Sequence, residues 1–319
     1  MPNKQIRKSN SPITTFSMLG GRASGVELHL KSLRENTART TEKICLLPGR
    51  HRKKTFEVIA EHENDFTFID RESFGFESKY PDANYDKLLH RYCSTDNFLF
   101  LHDDAIIHRN LDTKLEELLK QFDFVGAIDN AVKPGQYNHY SRIIWDGQPM
   151  SEIRIGTWLF SGNYETYATH GLSVGLGGQL YPIFSNLKYR TTKLWVKGLK
   201  ARADGGFNFN IKARVLGLKI KIFEAEQLGY ATHFARVTTG FLNRKLDVHI
   251  DSDDEVDIWK ERFRDFGHHN MPAQAHKDLN FLTGLCALYK KYGIKDDLIN
   301  EDAIEKLRKI YNGVAKEPI

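Results

Sequence analysis

The feature that most constrains this chain is the recurrence of short, wholly apolar runs separated by longer amphipathic stretches. NFLFL (97–101) and FVGAI (124–128) show no polar alternation, and FTFID (66–70) shows little. A strand with one wet face alternates polar and apolar residues. One that does not is buried on both faces, the condition of strands in a parallel sheet covered by helices. The spacing predicts strands over Ile13–Leu19, Lys43–Leu47, Phe66–Asp70, Phe98–Leu101 and Phe124–Ile128. Between them, helical spacing predicts helices over Val26–Asn36 (Val26, Leu30, Leu33 on one face), Lys54–His62, Tyr85–Cys93 and Leu111–Phe122. Alternation of this kind argues for an α/β domain with a mostly parallel sheet.

The second half is less regular. Ile153–Phe160 reads as a strand, Tyr164–His170 as a short helix, and Phe207–Leu216 as a helix ended by Gly217 before a strand over Leu218–Phe223. From Asp254 onward the pattern is mainly helical, clearest over Leu298–Tyr311. No repeat and no Pro/Gly/Ser linker divides the chain. The expectation is one α/β domain over residues 1–250 and a helical extension over 251–319.

Composition bears on compartment and partner. With 40% hydrophobic and 27% charged residues the chain belongs with folded globular proteins. No run approaches the roughly 18 apolar residues of a spanning helix. The start, MPNKQIRKSNSP, has positive charge but no apolar stretch after it, so secretion is not expected. Cys45, Cys93 and Cys286 are odd in number and far apart, with no CxxC pair. That argues against a disulfide framework and for a reducing, cytoplasmic setting. The net charge of +5 is concentrated: residues 186–221 hold ten basic residues and one acid, Asp204. Such a window implies an anionic partner or a plain solvated face. Arg50–Lys54 is a second, smaller basic cluster.

Ligands of open α/β sheets bind beyond the carboxyl ends of the strands. Those ends here are Gly20-Gly21, Pro48–Arg50, Asp70, His102-Asp103-Asp104 and Asp129. The fourth is the informative one. Two adjacent carboxylates after a buried strand repel each other and lose solvation unless a cation or donors face them. A divalent cation shared with substrate phosphates answers that need. The alternative is structural, with Asp104 capping the next helix and Asp103 solvated.

FLFLHDDAII, followed after one helix by FDFVGAID, resembles the metal-binding strand of GT-A glycosyltransferases, particularly inverting family 2-like members in which His-X-Asp replaces Asp-X-Asp. IIWDGQPMSEIRIGTWLFSGN, ARADGGFNFNIKARVLGLKIKIF and LGYATHFAR resemble later segments of that group, so the likeness spans about residues 12–240. It implies a GT-A fold and transfer of a sugar from a nucleotide-sugar to a hydroxyl acceptor, with Mn2+ or Mg2+ as cofactor. Asp104 and His233 would hold the metal. His102, Asp103, Gly20, Arg22 and Asp70 would lie on the donor side. Asp204 would be the base for an inverting displacement, with an N-cap as its bland alternative, and Asp146 and Glu152 are further candidates on the acceptor side. His233 read alone is equally a core or surface histidine.

The acceptor implied is a glycan or lipid-linked glycan. Lys193–Arg202 mixes Leu194, Trp195, Val196 and Leu199 with four cations. As a helix it would suit an anionic membrane surface. The same residues would suit nucleic acid, with Trp195 or Tyr189 stacking on a base, which keeps hydroxylated DNA bases open as an acceptor. They would also suit an ordinary amphipathic segment. Two rival functions stand beside the transferase. A nucleotidyltransferase would normally show a Gly-rich phosphate loop, which GGRASG fits poorly. A non-enzymatic nucleic-acid-binding module would need no metal.

Overall fold

The computed structural model describes residues 13–19, 23–37, 42–47, 53–70, 85–128, 143–174, 194–196, 206–234, 271–296 and 300–314. In chain order the strands of the main sheet are β1 (Ile13–Met18), β2 (Glu42–Leu47), β3 (Thr67–Asp70), β4 (Asn97–His102), β6 (Phe124–Ile128), β9 (Ile155–Asn163) and β11 (Ile220–Ile222). They lie in the order β11-β6-β9-β4-β1-β2-β3. All neighbours are parallel except β9, which runs antiparallel to both β4 and β6. This is the expected mostly parallel α/β sheet.

The uniform apolarity of NFLFL has the expected cause. Leu99 and Leu101 enter a core with Val26, Leu30 and Leu33 of α1 (Ala23–Asn36), Ile59 of α2 (Lys53–His62) and Leu111 and Leu115 of α4 (Leu111–Leu119). Phe98 and Phe100 enter the opposite core. It also holds Leu88 and Leu89 of α3 (Tyr85–Tyr92), Tyr167 of α6 (Tyr164–Thr169) and Phe209 and Ala213 of α7 (Phe207–Val215). That second layer is aromatic: Phe160 lies 4.7 Å from Phe209 and 5.3 Å from Phe98, ring centre to ring centre. Gly126 and Gly162 let β6 and β9 approach each other. A Cβ on Gly126 would lie 2.0 Å from the Ile155 side chain, and one on Gly162 would lie 2.2 Å from Phe124.

Two small sheets stand beside the main one. β5 (Ala105–Ile107) pairs antiparallel with β12 (Ala231–His233). The second joins β7 (Ile143–Trp145), β8 (Gln148–Pro149) and β10 (Leu194–Val196) in the order β10-β7-β8. Asp146 and Gly147 make the β7–β8 turn with φ of 50° and 82°, the left-handed pair of a tight hairpin that an Asp-Gly sequence favours. A four-residue helix, α5 (Met150–Ile153), leads into β9. The interfacial-helix reading of Lys193–Arg202 is corrected over its described part. Leu194–Val196 is a strand paired with Trp145–Ile143, and residues 197–202 lie outside the described residues.

Toward the C-terminus, α8 (Met271–Tyr292) and α9 (Glu301–Val314) pack together. α8 also reaches back to α1. The Tyr289 hydroxyl donates to Ser24 Oγ at 3.1 Å, and Lys31 Nζ donates to the Tyr292 carbonyl at 3.1 Å. Ser24 donates in turn to Asp296. Among the described residues no helix is long and apolar enough to cross a membrane.

Candidate metal centre

β4 ends at His102, two residues turn the chain, and β5 begins at Ala105. The element after Asp104 is therefore a strand, which removes the helix-capping alternative for that residue. Asp103 is buried as well, which removes the solvated reading. The ribbon partner β12 sets His233 opposite Ala105, and the Phe234 N–H closes the pair on the Asp104 carbonyl at 2.7 Å. Backbone pairing between residues 128 positions apart, Ala105 and His233, thus brings the side chains together. One ligand atom from each of His102, Asp104 and His233 lies within 4.8 Å of the others. His233 Nε2 sits 3.3 Å from Asp104 Oδ1.

Each imidazole is backed by an aromatic ring. The indole of Trp158, on β9, stacks on His233 at 4.6 Å with 4° between the planes, and its Nε1–H donates to the Ile128 carbonyl at 3.0 Å. Tyr85 lies parallel to His102 at 6.4 Å. The His233 backbone N–H is held by Glu226 Oε1 at 2.9 Å. Two imidazoles and one carboxylate form a nitrogen–oxygen donor set that fits a divalent transition ion and leaves coordination positions open. Thiolates are absent from the cluster. Burial pushes the Cys45 thiol, on β2, above its ordinary range, with the Asp103 charge adding to the effect.

Behind the turn lies His29 of α1, fully buried. Its Nδ1 is 2.7 Å from the Ala105 carbonyl and its Nε2 is 2.8 Å from Ser17 Oγ. A carbonyl only accepts, so Nδ1 carries the proton and Nε2 accepts from Ser17. Burial lowers the pKa of this imidazole to about 4, although the hydrogen bond to the Ala105 carbonyl and the Asp104 charge both pull it upward. It is neutral at pH 7.

Of the residues singled out in the sequence, Asp104 and His233 come together with His102, which the sequence placed on the donor side. Asp103 lies in the same turn. Asp70 is exposed at the end of β3, two strands beyond β1. Gly20, Arg22 and Asp204 lie outside the described residues, as do six of the ten basic residues of the basic window. Asp146 and Glu152 line one wall of a groove of about 1060 Å³, together with Trp145, Gln148, Gln227 and Ile128. Ile128, which lines the groove, accepts at its carbonyl from the Trp158 indole that stacks on His233. Trp158 and His29 were missed in the sequence. Trp158 sits in an ordinary strand pattern, and His29 reads as one polar residue on a helix.

No protein-family model matches the sequence, and no curated protein does. Among solved structures the fold is similar to that of the galactosyltransferase LgtC in complex with donor and acceptor sugar analogues, at 17% identity and a TM-score of 0.37, over 50% of this chain and 60% of that one. It is similar to the glycosyltransferase GlyE of Streptococcus pneumoniae at 15% identity and 0.40, over 68% and 46%. It is also similar to the mannosyltransferase PcManGT of Pyrobaculum calidifontis, in complex with GDP-Man and Mn2+, at 11% identity and 0.41, over 67% and 55%. All three are glycosyltransferases, the class the sequence resembles. The chain spans 60% or less of the length of each. Likeness of that degree transfers no residue role, and the chemistry has to come from the side chains themselves.

Proposed function

We propose that this chain is a metal-assisted glycosyltransferase that moves a sugar from a nucleotide-sugar to a hydroxyl of a saccharide acceptor. The observation that carries the reading is the His102, Asp104 and His233 cluster at the carboxyl end of β4, where open α/β sheets bind their ligands. These three side chains would hold the ion. When bound, it supplies positive charge to the diphosphate leaving group. Two imidazoles favour Mn2+ over Mg2+, which prefers oxygen ligands and keeps its waters.

The chain's own residues do the rest. The indole of Trp158 and the Glu226 carboxylate hold His233 in one orientation, so the donor set is fixed before the diphosphate arrives. Asp204 is assigned as base. It takes the proton of the acceptor hydroxyl as that oxygen bonds to the anomeric carbon, and the bond from that carbon to the diphosphate oxygen breaks with inversion. The acceptor is assigned to the groove lined by Trp145, Gln148 and Ile128. Amide and carboxylate groups of Gln148, Gln227 and Glu152 suit a hydroxyl-rich ligand, and the Trp145 indole suits the apolar face of a sugar ring.

The test is a thermal-shift series of nucleoside diphosphates with Mn2+, Mg2+ or a chelator. Ligand that binds only the native state raises the melting temperature by mass action. One nucleoside diphosphate should shift it, the shift should need metal, and Asp104→Ala should lose it. A shift that survives in Asp104→Ala sinks the metal-centred reading, and no shift with any of them sinks the transferase.

A further inference from the structure

The outer edge of β5 needs partners that no strand among the described residues provides. β12 satisfies one edge: the His108 N–H donates to the Tyr230 carbonyl at 2.9 Å, and the Phe234 N–H to the Asp104 carbonyl at 2.7 Å. Strand groups alternate in direction, so the polar groups of Ala105 and Ile107 face the other way. A buried strand edge left unpaired there would cost as much as the lost hydrogen bonds. Helix α1 lies along that edge.

Its side chains meet the edge group by group. His29 Nδ1–H donates to the Ala105 carbonyl at 2.7 Å. Ser32 Oγ accepts the Ile107 N–H at 3.2 Å while donating to the His29 carbonyl in its own helix at 2.9 Å. Asn36 Nδ2 donates to the Ile107 carbonyl at 3.1 Å and to the Ser32 carbonyl at 3.0 Å. Positions 29, 32 and 36 follow the i, i+3, i+7 spacing of one helix face. The two other faces of α1 are already committed. Val26, Leu30 and Leu33 enter the sheet core, while Ser24 and Lys31 bond to the α8 end of the chain. A polar stripe this deeply buried, with His29 and Ser32 both fully inaccessible, is expensive unless each group is matched.

The geometry points to a specific role for this stripe: His29, Ser32 and Asn36 act as a third strand made of side chains, and they fix where β5, and with it the Asp104 carboxylate, stands relative to His233. They are positioning residues. The inference rests on the metal-centred reading for its functional consequence, but the mechanical part stands without it. His29 ties the turn to β1 as well, through Ser17, whose neighbour Met18 pairs with His102. One imidazole therefore joins β1, which pairs with the strand that precedes the cluster, to β5, the strand that follows it. Such outer partners typically alter metal affinity by about 10–100-fold when removed.

The experiment compares His29→Leu, His29→Gln and Ser32→Ala with the parent protein. Mn2+ affinity is measured by titration, and backbone exchange at the Ile107, His108 and Phe234 amides by NMR. Leucine keeps bulk and loses both hydrogen bonds. Glutamine keeps one donor and one acceptor. His29→Leu should bind Mn2+ about 10-fold or more weakly, with faster exchange at those amides, and His29→Gln should restore most of both. Mn2+ affinity and exchange equal to the parent's in a folded His29→Leu would overturn the proposal. If His29→Leu does not fold, Ser32→Ala decides: faster exchange at Ile107 supports the stripe, and unchanged exchange overturns it. Should the parent itself bind no Mn2+, the metal-centred reading fails. The amide exchange then still judges the stripe by the same two outcomes.

Discussion

The two small sheets beside the main one are built on opposite plans. In the β5–β12 ribbon β5 is closed on both edges: Ala105, Ile106 and Ile107 are buried, α1 covers one edge of that strand and β12 the other. The β10-β7-β8 sheet hangs on its own backbone pairing around the Asp146-Gly147 turn, and Asp146, Gly147 and Gln148 are exposed. The first carries the candidate ion ligands. The second carries Trp145 and Gln148 at the groove. A coordination site tolerates little displacement, so its scaffold is overdetermined. On the reading proposed above, the second sheet, as an acceptor surface, can be rebuilt residue by residue without disturbing the cluster.

That contrast can be broken most sharply at Asp104. Asp104→Ala should lower transfer by about 1000-fold or more, since it removes both a ligand and charge stabilisation at the leaving group. Asp146→Ala in the other sheet should leave turnover within a few-fold. Equal losses in steady-state assays would erase the distinction. The next effect is at Tyr289, whose ring is buried against α1 and whose hydroxyl bonds Ser24. Tyr289→Ala should cost about 3–4 kcal/mol in urea unfolding, and it should weaken Mn2+ binding because α1 backs the ribbon. Full Mn2+ affinity in a destabilised Tyr289→Ala would separate α8 from the site.

Acid should act on the buried ribbon before the exposed sheet. His29 is held neutral, with its pKa lowered from 6.5 to about 4 by burial. The unfolded chain takes up that proton first, so stability is full above pH 6.5 and falls as pH drops toward 4, by on the order of 2–3 kcal/mol over the window. His62 and His108 are lowered by burial too and add to the same limb. Unfolding midpoints at pH 7, 6 and 5 should fall less steeply in His29→Gln than in the parent. An unchanged slope would assign the limb to the other two histidines. The smallest effect is at the hairpin. A Cβ at Gly147 meets nothing, so Gly147→Ala pays only for its φ of 82°, about 1 kcal/mol. It should raise the acceptor KM with donor hydrolysis unchanged.

The sequence-legible part of the molecule is the part governed by local pattern. NFLFL and FVGAI read as two-face strands because both neighbouring layers press on every residue. Ala105–Ile107 was hidden because only two turn residues separate it from β4, so FLFLHDDAII reads as a single strand with a polar end. WDGQ carried a hairpin signal in its Asp-Gly pair, though with flanking strands of three and two residues there was no alternation to support it. Leu194–Val196 is likewise too short for a period, and its lysine-rich surroundings suggested a helix. The metal-binding assignments of Asp104 and His233 came from resemblance. What no local pattern showed was His102 joining them, because that depends on the β5–β12 register across more than a hundred residues. His29 was illegible for the same reason: its partners, Ser17 and Ala105, lie 12 and 76 positions away.

The contact between α8 and α1 has a consequence in time. Tyr289 meets Ser24 across 265 residues. At a synthesis rate of about 5–20 residues per second, the first helix waits roughly 13–50 s for the element that covers its third face. During that interval the fully buried Leu28, one turn from Ser24 on the same face, has no cover from α8. A ribosome stalled before residue 271 would hold α1 without its Tyr289 partner, and on the reading proposed above the ribbon that α1 braces would hold its ion less firmly until α8 emerged.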